Sequence, residues 1–264
     1  MATLVCFHAH PDDEAIATGG VMAKAAADGH DVVLVVATRG EHGEPQPGVL
    51  GDDEPLWERR VQETHASAEV LGAGRVDFLG YRDSGMMGEP TNDDPTCLWQ
   101  ADVDEAAARL ATILREVGAD VVTIYDHNGN YGHPDHIQVH RVGAKACQLA
   151  GVDQVYEATM NRDHVQRGMA QMMESVDGVD LPDTPSEPDF GMPEADITHA
   201  VDVSAYVEHK RRAMQAHASQ IGPDAFFLQL PDEAFTFAFG TEWFIRHGHT
   251  RPEGEPFATT LFGD

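Results

Sequence analysis

Three cysteines in 264 residues, Cys6, Cys97 and Cys147, form no C-x-x-C pair. That excludes a disulfide framework and a cysteine-rich zinc site, and each is read as a small packing residue. Positive charge is also scarce: 17 Lys and Arg stand against 45 Asp and Glu, for a net charge of −28. Such a surface repels nucleic acid and anionic membrane, so neither is expected as a partner. Lysine is rarer than arginine, which accords with coding bias; adaptation to salt is the alternative. No apolar run approaches the roughly 20 residues that span a bilayer. The N-terminus enters a strand-like run without a basic n-region or cleavage site. Internal repeats, low-complexity tracts and a G-x-G-x-x-G fingerprint are missing too. A soluble, cytoplasmic chain is expected, and a homo-oligomer is compatible with it.

What is present is enough apolar material, 42% of residues, for a sizeable core. Strand and helix patterns alternate through residue 160. Strands are expected at Thr3–Phe7, Asp31–Thr38, Val76–Gly80, Val121–Tyr125 and Gln154–Met160. Helices are expected at Ala15–Asp28 (interrupted near Gly19-Gly20), Trp57–Leu71, Val103–Val117 and Ile137–Leu149, with Gly29, Gly72, Gly118 and Gly151 as stops. This alternation predicts an α/β fold: a Rossmann-like, mainly parallel sheet with helices on both faces. Residues 161–264 read as a C-terminal cap on the same single domain. They comprise a Pro- and Asp-rich lid loop over 175–195, a strand near Thr198–Val203, a helix from an N-cap at Ser204 to about Ser219, and a strand at Thr241–Arg246.

Polar clusters follow four of the strands: HAHPDDE (8–14), TRGEHGE (38–44), GYRDSG (80–85) and YDHNGNYGHPDH (125–136). Ligands of such sheets sit beyond the carboxyl ends of the strands, so these loops are expected to converge on one rim. In HAHPDDE, a His and an Asp three residues apart can aim a nitrogen and an oxygen at one metal, and a second carboxylate can serve as base. An acidic helix N-terminus is the plainer reading. In the later turn, a His133/His136 pair, a His136/His140 pair and one histidine with two helpers all remain open. Three protein ligands with an open fourth position make a catalytic zinc site, and two loops can supply them. Glu41 and Glu44 read equally as pocket or solvated loop, Met86-Met87 as packing or lid contacts, and Trp57, Trp99 and Trp243 as core or interface anchors.

AHPDDE with a later YGHPDH resembles the LmbE-like/PIG-L superfamily of zinc-dependent N-deacetylases, which includes mycothiol-pathway deacetylases and the mycothiol-conjugate amidase. The resemblance covers about residues 3–160 and extends through KRRAMQAHASQ (210–220). It implies that His10, Asp13 and His136 bind zinc, with Fe²⁺ as an alternative. It further implies Asp12 as general base, Tyr131 polarising the amide carbonyl, and His133 assisting as a cation or proton donor oriented by Asp135. Arg60 and Asp83 occupy positions that hold the sugar, and His217 is expected to reach the site from the late helix. The implied function is hydrolysis of an N-acetyl or other N-acyl group from an amino sugar or glycoside. Alternatives are an amidase of a thiol-glycoside conjugate, a non-catalytic sugar- or nucleotide-binding module, and a phosphate-ester hydrolase. Few cations near the rim argue against the last.

Overall fold

The computed structural model describes residues 1–175 and 190–263. Most of the lid expected over 175–195 lies outside the described residues. The described chain runs β1 (Thr3–His8), α1 (Asp13–Ala17), α2 (Gly19–Ala27), β2 (Asp31–Val36), α3 (Leu56–Leu71), β3 (Arg75–Phe78), α4 (Val103–Val117), β4 (Val121–Tyr125), α5 (Gly129–Gly132), α6 (Pro134–Ala150), β5 (Gln154–Thr159), α7 (Arg162–Ser175), β6 (His199–Asp202), α8 (Val207–Ala216), α9 (Asp232–Phe239) and β7 (Thr241–Arg246). One sheet holds all seven strands in the order β3-β2-β1-β4-β5-β7-β6. The first five are parallel; β7 pairs antiparallel with both β5 and β6. The C-terminal segment therefore extends the sheet as well as capping it.

Alternation along the strands builds two cores. Leu4, Cys6 and Leu34 face one side with Leu71 of α3, Met214 of α8 and Phe235 of α9. Val5, Phe7 and Val35 face the other with Leu110 of α4 and Val139 of α6. Both faces are covered, which is why the strands read as continuous apolar runs. Helix ends follow local chemistry. Asp102 caps α4 by accepting the N–H groups of Asp104 and Glu105, and Gly118 stops it at φ 63°.

The late helix differs from expectation at its start and end. Ser204 lies in a short 3₁₀ turn instead of capping α8, because Asp202 Oδ1 accepts its N–H at 2.9 Å. The helix then begins at Val207 and ends at Ala216. The interruption of the first helix falls at Thr18, beside the expected glycines. Its cause lies far away in sequence: Glu242 of β7 accepts the N–H groups of Gly20 and Val21 at 2.7 and 2.8 Å, capping α2 from outside. Lys210 of α8 closes this arrangement, donating to Glu242 Oε1 at 2.5 Å and to the Ile16 carbonyl at 3.0 Å. Helices α7 and α9 lie where sequence patterning gave no helix.

Candidate active site

Strand order reverses between β1 and β4, so the loops after these two strands open side by side. The first is HAHPDDE. Asp12 sits at φ 95°, a conformation costing a non-glycine residue about 1–3 kcal/mol. Its neighbours enforce it. Arg60 Nη2 donates to the Pro11 carbonyl at 2.5 Å and to Asp12 Oδ2 at 3.2 Å, while Nη1 donates to the Gly40 carbonyl at 2.9 Å. Glu14 Oε2 accepts the Asp12 N–H at 3.0 Å. Arg60, which local pattern alone would leave on the surface, is buried. Burial raises the Asp12 carboxyl to about 6 even though Arg60 draws it down.

Asp13 Oδ2 is the junction of the two loops. It accepts the His10 N–H at 2.8 Å and lies 3.4 Å from His10 Nδ1 and 3.5 Å from His136 Nε2. His136 stacks flat on Tyr125, with ring centroids 4.3 Å apart. It is carried at the start of α6, against which Gly129 packs so closely that a Cβ there would lie 2.6 Å from the His136 Cβ. Burial opposes ionisation of Asp13, but His136 and His10 hold its carboxyl well below the usual range. His10 is likewise disfavoured as a cation by burial, yet Asp83, Asp13 and Asp135 raise it well above an ordinary imidazole.

Two expected relationships differ. The Asp135 carboxylate has an oxygen within 4.8 Å of a His133 ring nitrogen, but its hydrogen bonds go elsewhere. It accepts from the hydroxyl of Ser84, from the Ser84 N–H at 2.9 Å, and lies 3.1 Å from His10 Nε2. Asp135 instead meets His133 through its backbone N–H, 3.1 Å from Nδ1. With Nδ1 accepting, the neutral His133 ring carries its proton on Nε2. Burial and the neighbouring His10 and His136 push its pKa to about 3, so the resting ring is neutral and not a cation. His217 is the second difference. It is fully buried behind the HAHPDDE loop, with Nε2 2.6 Å from Glu14 Oε1, so it supports that loop and does not line the cleft. Burial lowers its pKa, but facing Glu14 more than offsets this.

A cavity of about 270 Å³ opens above these groups. All four loops reach it: His10, Asp12 and Asp13 from the first, His42 and Gly43 from the second, Asp83 and Met86 from the third, Tyr131 and His133 from the fourth. Arg60 also lines it. Asp83 is held by the N–H groups of Gly85 at 2.8 Å and His42 at 3.2 Å. Glu41 Oε2 accepts the Asp83 N–H at 3.1 Å, tying the second loop to the third, whereas Glu44 is exposed. Tyr131 is 46% exposed with its hydroxyl 3.4 Å from His136 Nε2, so the ring stands at the mouth. His8 and His140 hold Tyr125 from behind, through its hydroxyl at 2.8 Å and its carbonyl at 2.9 Å.

A divalent cation fits this donor set. Nitrogens of His10, His133 and His136 lie within 4.8 Å of one another, as do ligand atoms of His10, Asp83, His133 and Asp135. The expected set of His10, Asp13 and His136 meets at Asp13 Oδ2. Half-buried Asp13 and buried Asp83 and Asp135 surround His10 with negative charge that one imidazolium answers only in part.

Sequence reasoning missed Ser84, Glu63 and Gln220 as participants. Glu63 accepts both the N–H and the hydroxyl of Ser219, at 2.8 and 2.6 Å, which places Gln220 in the cavity wall. The signal lay in HASQ (217–220), where His217, Ser219 and Gln220 each take a different partner.

A strained carboxylate beside a histidine–carboxylate cluster, at the switch point of a Rossmann-like sheet, has the make-up of an α/β enzyme's catalytic centre and could hold a metal. Residues 5–147 match the family described as PIG-L: GlcNAc-PI de-N-acetylase, and the chain belongs to that family. It is 41% identical over 275 residues to a 1D-myo-inositol 2-acetamido-2-deoxy-alpha-D-glucopyranoside deacetylase of Acidothermus cellulolyticus, covering 98% of this chain and 94% of the relative. Among solved structures, an N,N'-diacetylchitobiose deacetylase from Pyrococcus horikoshii has a TM-score of 0.60 at 22% identity, over 96% of this chain and 87% of that one. GalB, a 4-carboxy-2-hydroxymuconate hydratase from Pseudomonas putida, has a TM-score of 0.59 at 19% identity, over 97% and 100%. A hydratase and a deacetylase sharing this architecture means that the fold alone does not carry the function.

Proposed function

We propose that the chain hydrolyses the acetamide of an N-acetylated amino-sugar glycoside, with 1D-myo-inositol 2-acetamido-2-deoxy-α-D-glucopyranoside as the first substrate to test. Supporting this reading is one observation above the rest: Asp12, strained and clamped by Arg60, opens into the same small cavity as Asp13, His10, His133, Tyr131 and Asp83. His10, Asp13 and His136 would hold zinc or Fe²⁺, which when bound supplies Lewis acidity and lowers the pKa of water toward neutrality.

The remaining chemistry belongs to the chain. Asp12, ionised above about pH 6, takes a proton as water adds to the amide carbon. Tyr131 O–H and the Nε2–H of neutral His133 donate to the carbonyl oxygen as it gains charge. The C–N bond then breaks, the proton passes to the departing amine, and acetate and the free amino sugar leave. Asp83, whose oxygens already accept backbone N–H groups, and Gln220 offer acceptors and donors for sugar hydroxyls at the rim. A phosphate ester is disfavoured because Arg60 has both terminal nitrogens bonded to the loops it holds. Buried, unpaired Cys6, Cys97 and Cys147 accord with a reducing compartment, and no helix among the described residues is long and apolar enough to cross a membrane.

The test is release of acetate and free amine by the metal-loaded full chain, with the inositol glycoside, N-acetylglucosamine and a thiol-glycoside conjugate compared. Turnover of the conjugate alone would make the chain an amidase. Absence of amide cleavage in every arm would end the proposal.

A further inference from the structure

A second cavity of about 510 Å³ lies on the other side of Tyr131 and shares Asp12, Asp13 and Tyr131 with the first. Its walls differ in kind. Ile16, Ala17, Met160, Val165, Phe239 and Trp243 line it. Most polar side chains along it are already bonded within the chain. Lys210 and Glu242 pair with each other and with backbone groups. Thr159 donates to Asp126, and Asn161 donates to Glu194 and accepts from the His164 N–H. A sugar ring, which needs a partner for each hydroxyl, finds few here. An apolar group finds a wall of aliphatic and aromatic side chains, in a volume within the roughly 300–1,000 Å³ range of small-molecule sites.

The reacting amide has two sides. If the amino sugar occupies the smaller polar cavity, as the proposed function holds and on which this inference rests, the acyl group extends from the carbonyl carbon past Tyr131 into the larger one. A methyl group would leave most of that space unused. We propose that the second cavity is an acyl subsite, and that the enzyme hydrolyses amino-sugar amides bearing linear acyl chains of several carbons in addition to acetyl. The reaction is unchanged: water adds, the C–N bond breaks, and a longer carboxylate leaves in place of acetate.

The experiment is an acyl series on one amino-sugar glycoside, N-acetyl, N-butanoyl, N-hexanoyl and N-octanoyl, with the metal-loaded full chain. Values of kcat/KM are expected to rise by roughly fourfold per buried methylene until the cavity is filled. Ala238, exposed at the cavity edge, offers a way to obstruct it. Ala238→Trp is expected to lower hexanoyl hydrolysis at least tenfold while acetyl hydrolysis stays within twofold, and Val165→Phe serves as a second obstruction. Cleavage of acetyl with butanoyl and hexanoyl each tenfold slower would overturn the acyl subsite and leave the proposed function standing. Equal loss across the series in both obstructed variants would overturn it as well. Failure to cleave any member, acetyl included, would refute the proposed function and the subsite with it.

Discussion

Arg60 Nη2 donates to both the Pro11 carbonyl and the Asp12 carboxylate, at 2.5 and 3.2 Å, joining α3 to the strained turn after β1. One side chain thereby sets the conformation of the proposed base and its charge. Burial raises the Asp12 pKa to about 6, and Arg60 is the largest influence in the opposite direction. Removing the guanidinium leaves burial less opposed, so the carboxyl moves further up. The base acts only when ionised, so activity is lost as pH falls through this pKa. The acid limb of the kcat/KM profile in Arg60→Gln should therefore lie about a unit above that of the parent, with a lower plateau. An unshifted limb would show that Arg60 holds the turn through the Pro11 and Gly40 carbonyls without setting the charge of Asp12.

Asp12→Asn keeps the shape of the side chain and removes its ability to take a proton. A loss of about 10²–10⁴ in kcat is expected, with metal content and KM close to the parent. Elemental analysis beside steady-state kinetics separates this from loss of the metal. A fully active variant would remove Asp12 from the mechanism.

Metal dependence has a matching test at the other loop. His136 approaches Asp13 Oδ2 through Nε2 and is fixed by stacking on Tyr125. His136→Ala should bind less than a tenth of the stoichiometric metal of the parent, and a chelator should abolish parent activity, restored by Zn²⁺ or Fe²⁺. His140→Ala should retain metal, since His140 Nδ1 faces the Tyr125 carbonyl at 2.9 Å. Loss of metal from His140→Ala and not from His136→Ala would reverse the assignment.

The contrast between what local pattern revealed and what it hid has a physical basis. Val103–Val117 and Val121–Tyr125 were readable to the residue, because α4 has an aspartate at its start, a glycine at its end and an apolar stripe between. The rim was readable because its polar clusters follow apolar strands, and parallel topology places those ends together. Unreadable were bonds between side chains far apart in the chain. Glu14 meets His217 across 203 positions, and Ser84 meets Asp135 across 51. No periodicity records such a pairing, and the family resemblance implies His217 in the cleft and Asp135 orienting His133, which it does through its backbone N–H and not its carboxylate. Trp243, read as a core or interface anchor, packs on His164 and Phe257 and also lines the second cavity, because β7, one strand in from the edge, lies beside α9.

Lys210 and Glu242 give the clearest stability test, since they are joined across 32 positions in a buried setting. Glu242 is nearly solvent-free and also accepts the first N–H groups of α2, so its charge answers both an ammonium and a helix N-terminus. Lys210→Met removes the ammonium and strands a carboxylate in the interior, at a cost of about 3–5 kcal/mol. Glu242→Gln strands the ammonium instead, and its single amide oxygen cannot serve Gly20, Val21 and Lys210 together. The double variant leaves no uncompensated charge and should recover part of the loss, giving a favourable coupling in a double-mutant cycle from urea titrations. Additive losses would mean that the two charges are each stabilised by groups other than one another. Because α2 begins at this pair and α1 carries Asp13, metal affinity measured in the folded single variants should fall with stability, which ties the C-terminal strand to the geometry of the HAHPDDE loop.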